Sequence, residues 1–440
     1  THCQLAFRLG HSPPSPGTFP PVLKFNTESF PPQCNLVMAS VLTRLAAAEA
    51  RSPLLARLLS SSPRAAAPSS LPPAPPPDRA LSPEEAILSR LCRPPVRGVV
   101  AWPARRGSGT VPALRFAEHG APAEVLTMGQ ADMPALGPTD VLVDFLAAPI
   151  NPADINIIEG KYPLKPPLPA TPGNEGVAVV YRVGAKVDPE CLRPGDRVVP
   201  LDSGLGTWRA AAVVPADALY RVPPSIPTLT AATLTVNPPT ALCLLERFAE
   251  LEPGCTIIQN GANSAVGQAV IELAAARKIN TVNVIRQRDD WEDVSAHLRG
   301  LGATVVTTLE HAVSASAHLS KPVLALNCVG GASATKLAKM LSHGGTLVTY
   351  GGMSLQPVTL PTPLLIFKDI RARGFALSVN CTRAEKAALL DTIVPMAEKG
   401  AFGSQRYETF AFEDFGAALQ RAAQPYRSTK VMLELPAYDE

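Results

Sequence analysis

The chain has 440 residues, of which 46% are hydrophobic, so it is long enough for two ordinary domains with sizeable cores. Its net charge of +3 is too near neutral to indicate a nucleic-acid partner. No apolar run reaches the ~18 residues that a membrane span needs, which predicts a soluble protein with no membrane partner.

Eight cysteines are scattered along the chain, and they include no CxxC pair. Chains of this length rarely depend on a disulfide framework, and the ligands of a structural zinc usually come in closely spaced pairs. The cysteines are therefore predicted to be buried or incidental thiols in a reducing compartment.

Residues 1–110 differ in composition from the rest of the chain, because 19 of the 47 prolines lie within the first 103 residues. Sequence rich in Pro, Ala and Ser buries too little apolar surface to offset its ordering entropy, which predicts disorder. Within this part, residues 38–70 are rich in Arg and Ser, contain Glu49 as their only acid, and space their leucines along one helix face. These are features of an organelle transit peptide, favour the mitochondrion over the plastid, and make Met38 the expected start.

From Pro112 onward the sequence predicts short strands separated by turns. PALRFAEHGAPAEVLTM predicts a β-hairpin with Gly120 at its turn, and DVLVDFLAAPINPADI predicts a strand that ends near Asn151. GVAVVYRVG and DRVVPL are further short strands bounded by Gly and Pro. This pattern favours a small all-β barrel or sandwich.

After Asn237 strands alternate with helices, which predicts βαβ units and a doubly wound parallel sheet. The predicted strands and helices that alternate are CTIIQN, SAVGQAVIELAAARK, NTVNVI, ATVVTT, PVLALNCVG and GTLVTYGGM. A helix over residues 384–399 and a last strand KVMLEL follow. The sequence thus predicts an α/β protein with a cofactor domain over residues 237–378, inserted between two parts of a β-rich domain, residues 111–236 and 379–440.

NGANSAVG, residues 260–267, lies between a predicted strand and a predicted helix, where dinucleotide-binding proteins carry GxGxxG. Of the three glycines of that motif, only Gly261 and Gly267 survive here. Asn263 and Ser264 offer hydrogen-bonding groups to phosphate at the helix N-terminus. The context predicts a dinucleotide site, and an ordinary Gly-containing turn is the alternative.

IRQRDD, at the end of the next predicted strand, carries Arg286 and Arg288. NAD-binding proteins place an acid here to accept from the ribose 2′-hydroxyl, whereas guanidinium groups pair with a 2′-phosphate. Asp289 and Asp290 come slightly late for the first role. The segment therefore favours NADPH over NADH, with a solvated run of charges as the alternative.

The chain from Pro112 to Leu435 resembles the medium-chain dehydrogenase/reductase superfamily, and within it the mitochondrial trans-2-enoyl-thioester reductases of fatty-acid synthesis. The matching stretches are INPADINIIEGKYPLKPPLP, GNEGVA, GLGTWR, the NPPTA at Asn237, NSAVGQAVI, LNCVGG, TYGGM and LLIFKDIRARGF. They are spread over the whole body of the chain.

This resemblance implies a GroES-like catalytic domain, a Rossmann cofactor domain and an active site in the cleft between them. It also implies that NADPH delivers hydride to the β-carbon of an enoyl-CoA or an enoyl-acyl carrier protein. A tyrosine matching Tyr162 protonates the substrate or orients the thioester carbonyl, and homodimers are usual. The implied cofactor contacts are Asn237, Asn263, Ser264, Ala265, Val266, Arg286, Gln287, Arg288, Tyr350, Gly351, Gly352, Met353, Phe375, Ala376, Leu377 and Lys430.

The chain departs from its relatives at three positions. Zinc-dependent members carry the histidine of a GHE motif where this chain has Asn174, and their cysteine ligands are also missing, so no catalytic zinc is expected. Ala376 and Leu242 stand where the enoyl reductases often have aromatic residues. These two exchanges predict a wider or reshaped acyl pocket.

Two other functions stay open from the sequence. NADPH:quinone reductases share the fold, the cofactor and the missing zinc ligands, and they carry a similar Tyr-Pro loop in which Tyr162 would only pack its ring. A catalytically silent NADPH-binding scaffold is the second alternative. GLGTWR and LLIFKD favour the enoyl reductases.

Overall fold

A computed structural model describes residues 109–163 and 165–436. The predicted transit peptide, residues 38–70, and almost all of the predicted disordered segment lie outside the described residues. None of the described helices is both long and apolar enough to cross a membrane.

The strands within the described residues are β1 (Gly109–Phe116), β2 (Leu126–Met133), β3 (Asp140–Pro149), β4 (Val177–Val183), β5 (Arg197–Pro200), β6 (Ala211–Pro215), β7 (Leu219–Arg221), β8 (Thr256–Asn260), β9 (Asn280–Val284), β10 (Val305–Thr307), β11 (Leu324–Asn327), β12 (Thr346–Thr349), β13 (Arg371–Gly374), β14 (Tyr407–Ala411) and β15 (Lys430–Glu434). The α-helices are α1 (Pro122–Val125), α2 (Pro152–Ile158), α3 (Thr228–Ala231), α4 (Asn237–Glu246), α5 (Ala265–Ala276), α6 (Trp291–Gly300), α7 (Ala312–Ala315), α8 (Gly331–Met340), α9 (Thr362–Lys368), α10 (Leu377–Asn380), α11 (Arg383–Glu398) and α12 (Phe415–Ala423). Two short 3₁₀ turns span Ala216–Ala218 and Phe412–Asp414.

Six strands form one parallel sheet in the order β10-β9-β8-β11-β12-β13. Strands β8 and β11 are buried along their whole length, as expected for parallel strands covered by helices on both faces. The strand order reverses between β8 and β11, and ligands of doubly wound folds bind at the carboxyl ends of strands at this switch point. The predicted doubly wound sheet is confirmed.

A second sheet of seven strands is built from two separate stretches of the chain. Strands β3 to β7 come from the first stretch, and β14 and β15 return to the sheet from the end of the chain. Strand β15 pairs antiparallel with β3 and parallel with β14, so the late strand lies inside the sheet between these two strands. The predicted β-rich domain is confirmed, whereas the division of the chain into domains stays a prediction.

Strands β1 and β2 form the predicted antiparallel hairpin, with Phe116 paired to Leu126. The connection is longer than a tight turn, because the single helical turn α1 follows Gly120. Proline at the start of α1 suits the first turn of a helix, where its missing N–H costs nothing.

One hydrophobic cluster contains residues of both sheets, including Leu146 and Val177 of the seven-stranded sheet and Ile257 and Leu326 of the six-stranded sheet. Residues of α4 and α11 belong to the same cluster. A shared core of this kind fixes the two sheets against each other, since moving either one would expose apolar surface. It thereby defines the cleft described below.

Candidate active site

A cleft lies between helix α5, which follows strand β8 of the six-stranded sheet, and strand β15 of the other sheet. Three of the predicted cofactor residues line it: Asn237, Ala265 and Lys430. They come from α4, α5 and β15, so the fold brings together residues that are almost 200 positions apart in the chain.

Helix α5 begins directly after the Gly-containing turn. The hydroxyl of Ser264 accepts a hydrogen bond of 3.1 Å from the backbone N–H of Gly267 and so caps the helix. A Cβ on Gly267 would lie 2.5 Å from the carbonyl oxygen of Ala262, so only glycine allows the helix this close to the preceding strand. The other amides of the first turn, at Ala265 and Val266, have no partner within the helix and suit a phosphate.

Asn237 is the first residue of α4, and only 8% of its surface is exposed. Its Nδ2 atom is buried and has no hydrogen-bond partner among the described residues. A buried amide without a partner costs about 1–3 kcal/mol, which a bound ligand with an acceptor would recover. This orphaned donor fits the predicted cofactor contact.

A buried polar cluster, which we call the Lys430 cluster, joins Asn151, Asp154, Asn174, Glu175 and Lys430. The ammonium of Lys430 donates to Oδ1 of Asn151, and Nδ2 of Asn151 donates to Oε2 of Glu175 at 2.8 Å. Oε1 of Glu175 accepts a hydrogen bond of 2.7 Å from the backbone N–H of Val236, the residue before Asn237. The cluster therefore ties the start of α4 to strand β15.

The second half of the Lys430 cluster is centred on Asp154. Its Oδ1 accepts from the backbone N–H of Asn174 at 3.0 Å and from Nδ2 of Asn174 at 2.6 Å. Its Oδ2 accepts from the backbone N–H of Asn151 at 2.8 Å, which completes a capping box at the start of α2. The amide oxygen of Asn174 accepts from the N–H of Gly204 at 2.8 Å, so every polar group of this side chain is engaged.

Burial dominates the ionisation of this cluster. Burial raises the pKa of Asp154 to about 7, against the hydrogen bonds from Asn151 and Asn174 that lower it. Burial also raises the pKa of Glu175 and lowers the pKa of Lys430, while the opposite charges of these two residues counteract both changes. Lys430 and the carboxylates therefore stabilise one another's charged forms, together with the hydrogen bonds of the cluster.

Tyr162 lies just beyond helix α2, and its side chain is half-buried. Its hydroxyl shares a hydrogen bond of 2.9 Å with the hydroxyl of Ser378, which lies in α10, 216 residues further along the chain. The predicted catalytic tyrosine is thus held against the segment that carries Phe375, Ala376 and Leu377.

That segment leaves the last strand of the six-stranded sheet. Phe375 is buried, donates its N–H to the carbonyl of Thr349 at 3.0 Å, and meets the ring of Phe248 edge-on at 5.8 Å. Leu377 is buried as well, whereas Ala376 is only partly covered. The predicted cofactor contact at this segment stays a prediction.

The predicted contacts at residues 350–353 follow strand β12. The hydroxyl of Tyr350 is buried near Ser264 and the thiol of Cys328, and burial raises the pKa of Tyr350 well above its usual range. Gly351 runs so close to Cys328 that a Cβ would lie 3.2 Å from the Cβ of that residue. Gly352 and Met353 are exposed. The segment thus lies beside the start of α5.

The remaining predicted residues, Arg286, Gln287 and Arg288, follow strand β9 and do not line the cleft. Arg286 and Gln287 are exposed, whereas Arg288 is buried. Both arginines contact the loop that leads into β15, through Tyr426.

Several residues at this site escaped prediction from the sequence. Asn151, Asp154 and Glu175 were visible only as parts of INPADI and GNEG, and Ser378 had no signal at all. The sequence does not show which of these polar residues are buried, because burial depends on how the two sheets pack against each other in the folded chain. Within residues 109–163 and 165–436, no three residues of the His, Cys, Asp and Glu types lie close enough to hold a metal ion.

The strand order, the Gly turn at the switch point and the second sheet assembled from two stretches of chain define a medium-chain dehydrogenase/reductase. Residues 137–224 match the alcohol dehydrogenase GroES-like domain, and residues 265–394 match the zinc-binding dehydrogenase family. The chain is 44% identical over 333 residues to the mitochondrial enoyl-[acyl-carrier-protein] reductase of Homo sapiens, an alignment that covers 74% of this chain and 89% of that protein. The chain belongs to the family of mitochondrial enoyl-[acyl-carrier-protein] reductases.

Solved structures agree with this assignment. The Etr1p/NADP/crotonyl-CoA complex is 32% identical with a TM-score of 0.68, and the alignment covers 74% of this chain and 100% of that chain. The mitochondrial 2-enoyl thioester reductase Etr1p/Etr2p heterodimer from Candida tropicalis gives 32% identity and a TM-score of 0.67 over the same shares. The predicted family is confirmed.

Proposed function

We propose that this protein uses NADPH to reduce the carbon–carbon double bond of trans-2-enoyl thioesters in mitochondrial fatty-acid synthesis. One observation carries the proposal: the match to the mitochondrial enoyl-[acyl-carrier-protein] reductase of Homo sapiens covers 333 residues of this chain and 89% of that protein. A relative at 32% identity is named as a complex with NADP and crotonyl-CoA, which supports the same cofactor and the same substrate class here.

The residues of the cleft fit NADPH. The capped N-terminus of α5 offers backbone N–H groups to a pyrophosphate, and Gly267 permits the close approach that this geometry requires. The orphaned Nδ2 of Asn237 offers a donor to an acceptor on the bound cofactor. When bound, NADPH supplies the hydride that adds to the β-carbon of the enoyl thioester.

Tyr162 is the proposed proton donor or orienting group. Negative charge develops on the thioester oxygen as the β-carbon accepts hydride, and donors fixed in advance stabilise such charge most effectively. A phenol can donate while neutral, because its reference pKa is ~10. Its hydrogen bond to Ser378 fixes the direction of the hydroxyl before substrate arrives.

The Lys430 cluster positions the groups around the cleft. Glu175 accepts from the N–H of Val236 and thereby sets the start of α4, where Asn237 lies. Asn151 accepts a hydrogen bond from the ammonium of Lys430, a residue that lines the cleft. Because every member of the cluster is paired, its buried charges are stable in one arrangement.

We also propose that the protein is a homodimer formed through the free edge of the six-stranded sheet. All four residues of the edge strand β13 are exposed, and an unprotected edge is ready to pair with another strand. Ile366 and Phe367 of the neighbouring helix α9 are 65% and 75% exposed. Light scattering should give twice the chain mass, and the variant Phe367→Asp should shift the protein toward the monomer; a monomeric wild type would refute the dimer.

Turnover tests the function directly. NADPH oxidation by the purified chain is followed at 340 nm with crotonyl-CoA and, separately, with a small quinone as acceptor. We expect turnover with crotonyl-CoA that exceeds turnover with the quinone. Faster oxidation with the quinone would favour a quinone reductase, and no oxidation with either acceptor would indicate a silent NADPH-binding scaffold.

A further inference from the structure

Two of the cysteines that the structure describes lie beside each other, although they are about 140 residues apart in the chain. Cys243 belongs to helix α4, and Cys381 directly follows helix α10. Both are part of the hydrophobic cluster that contains residues of the two sheets, and both are free thiols. Their side chains are close enough for one thiol to hydrogen-bond to the other. The fold therefore brings together two groups that are able to form a covalent bond.

The end of α4 is bound to the chain on both sides of Cys381. Arg247, which caps α4, donates its backbone N–H to the carbonyl oxygen of Cys243 at 3.0 Å. Its Nη1 donates to the carbonyl oxygen of Asn380, the residue before Cys381, at 3.3 Å. Its Nη2 lies 3.7 Å from the carboxylate of Glu385, four residues after Cys381. One arginine thus spans both backbones and keeps the two thiols within reach of each other.

The two thiols have different surroundings. Cys243 has no exposed surface, and burial, together with the neighbouring Cys381, raises the pKa of Cys243 to about 12. Cys381 keeps 8% of its surface exposed and lies directly before Thr382, the residue that caps the N-terminus of α11. The ammonium of Lys386 interacts electrostatically with Cys381. Access to solvent and a neighbouring cation are features of reactive cysteines, so Cys381 is the thiol of this pair that an oxidant meets first.

We propose that Cys243 and Cys381 are a redox-sensitive pair that hydrogen peroxide converts into a disulfide. The sulfur of Cys381 first attacks the O–O bond of the peroxide, which gives a sulfenic acid on Cys381 and releases one water molecule. The sulfur of Cys243 then attacks the sulfur of this sulfenic acid. The S–O bond breaks, the S–S bond forms, and the departing hydroxide takes the proton of Cys243 and leaves as a second water molecule. The two thiols lose two electrons and two protons, and the peroxide gains both.

The disulfide connects this pair to the candidate active site. An S–S bond is only about 2.05 Å long, so the two sulfur atoms must approach each other when it forms. The residues of α4 around Cys243 are buried in the core, whereas residues 379–380 are exposed, so the segment before Cys381 is the side that moves. Ser378, the hydrogen-bond partner of Tyr162, lies in this segment. A displacement of about 1 Å at such a position is enough to slow catalysis, and this part of the inference rests on the proposed function.

Peptide mass spectrometry tests the disulfide without any turnover. The full chain is treated with hydrogen peroxide, its remaining thiols are alkylated, and it is digested with trypsin in the absence of a reductant. We expect the peptide of residues 222–247 to be joined to the peptide of residues 374–383, each of which contains one cysteine, and dithiothreitol should separate them.

Two variants check the order of the steps. In Cys243→Ser, dimedone should label Cys381, because its sulfenic acid has no thiol to react with. In Cys381→Ser, Cys243 should stay reduced. The exposed Cys191 shows within the same sample that the oxidant has acted. If Cys191 is oxidised while the peptides 222–247 and 374–383 are recovered separately, each with an alkylated cysteine, the proposal is overturned.

Turnover with crotonyl-CoA tests the connection to the active site. We expect kcat of the wild type to fall by about 10-fold after peroxide treatment and to recover with dithiothreitol. Cys381→Ser should be insensitive to peroxide, whereas Cys191→Ser, the matched control, should respond as the wild type does.

The outcomes also separate this inference from the proposed function. A wild type that forms the disulfide and keeps its kcat would overturn the effect on the active site and leave the proposed function intact. A reduced wild type with no turnover of crotonyl-CoA would refute the proposed function, while the joined peptides would still support the disulfide.

Discussion

Two contacts join the segment between strands β3 and β4 of the seven-stranded sheet to distant parts of the chain. They differ in how deeply they are buried. The Tyr162–Ser378 pair spans 216 residues, is half-buried and consists of one hydrogen bond. The Lys430 cluster spans 279 residues between Asn151 and Lys430, is buried throughout and leaves none of its charges without a partner.

This difference in burial suggests different roles for the two contacts. The Tyr162 hydroxyl can change its hydrogen-bond partner, whereas the Lys430 cluster stabilises one fixed arrangement. A half-buried phenol with a single partner can exchange that partner for a substrate oxygen at little cost. A fully paired buried cluster resists any change, because breaking one of its bonds leaves a charge with no compensation. We therefore expect changes at Tyr162 to affect the rate and changes in the Lys430 cluster to affect stability.

The largest effect is expected at Tyr162. Tyr162→Phe removes the proposed proton donor while keeping the ring, and general acid catalysis of this kind is worth ~10²–10⁴ in rate. We predict that kcat with crotonyl-CoA falls by about 100-fold or more. The free energy of unfolding should change by only ~1 kcal/mol, the value of one hydrogen bond.

Ser378→Ala is the matched control for that variant, since it removes the partner and keeps the phenol. We predict a loss in kcat far smaller than that of Tyr162→Phe, with NADPH affinity near normal in both variants. An unchanged kcat in Tyr162→Phe would show that the tyrosine only packs its ring. The Tyr162–Ser378 pair and the Lys430 cluster would then both have structural roles only.

The next largest effect is expected in the Lys430 cluster, as lost stability. Lys430→Met keeps the length of the side chain and leaves Glu175 buried without its compensating charge, which costs about 3–5 kcal/mol. Urea unfolding measures this loss. The double variant Lys430→Met with Glu175→Gln removes both charges and should recover part of it. A Lys430→Met variant as stable as wild type would show that the cluster does not stabilise the link between the start of α4 and strand β15.

An effect that is smaller per pH unit is expected from the ionisation of Asp154. The pKa of Asp154 is about 7 in the folded chain and ~3.9 in an unfolded one, so between these values the folded state binds one more proton. Stability should therefore fall as the pH rises from about 4 to about 7, by up to about 1.4 kcal/mol per pH unit from this group. Asp154→Asn should remove that contribution. Urea unfolding at pH 5, 6, 7 and 8 compares the two proteins, and curves of equal slope would contradict the burial of an ionisable Asp154.

Much of the fold could be predicted because its signals are local. The alternation of strands and helices after Asn237 and the turn with Gly261 and Gly267 each depend on a few neighbouring residues, and the structure reproduces both. The resemblance to enoyl-thioester reductases placed Tyr162 and Lys430 near a common cleft, and their roles there stay predictions.

The rest depends on contacts between distant residues. No sequence pattern around Ser378 predicts its hydrogen bond to Tyr162. Glu175 and Lys430 are both buried in the folded chain, although they lie far apart in the sequence. Arg286 and Arg288 look equivalent in IRQRDD, yet the loop that distinguishes them lies about 140 residues later. Charge alone predicts a phosphate site at this segment, whereas the different burial of the two arginines follows from the fold.

The central claim is tested most directly by the destination of the hydride. Crotonyl-CoA is reduced by the purified chain with NADPH that carries deuterium at C4 of the nicotinamide, and the product is analysed by NMR. We expect butyryl-CoA with deuterium at the β-carbon and a solvent proton at the α-carbon. Deuterium at the α-carbon, or no labelled product at all, would contradict it.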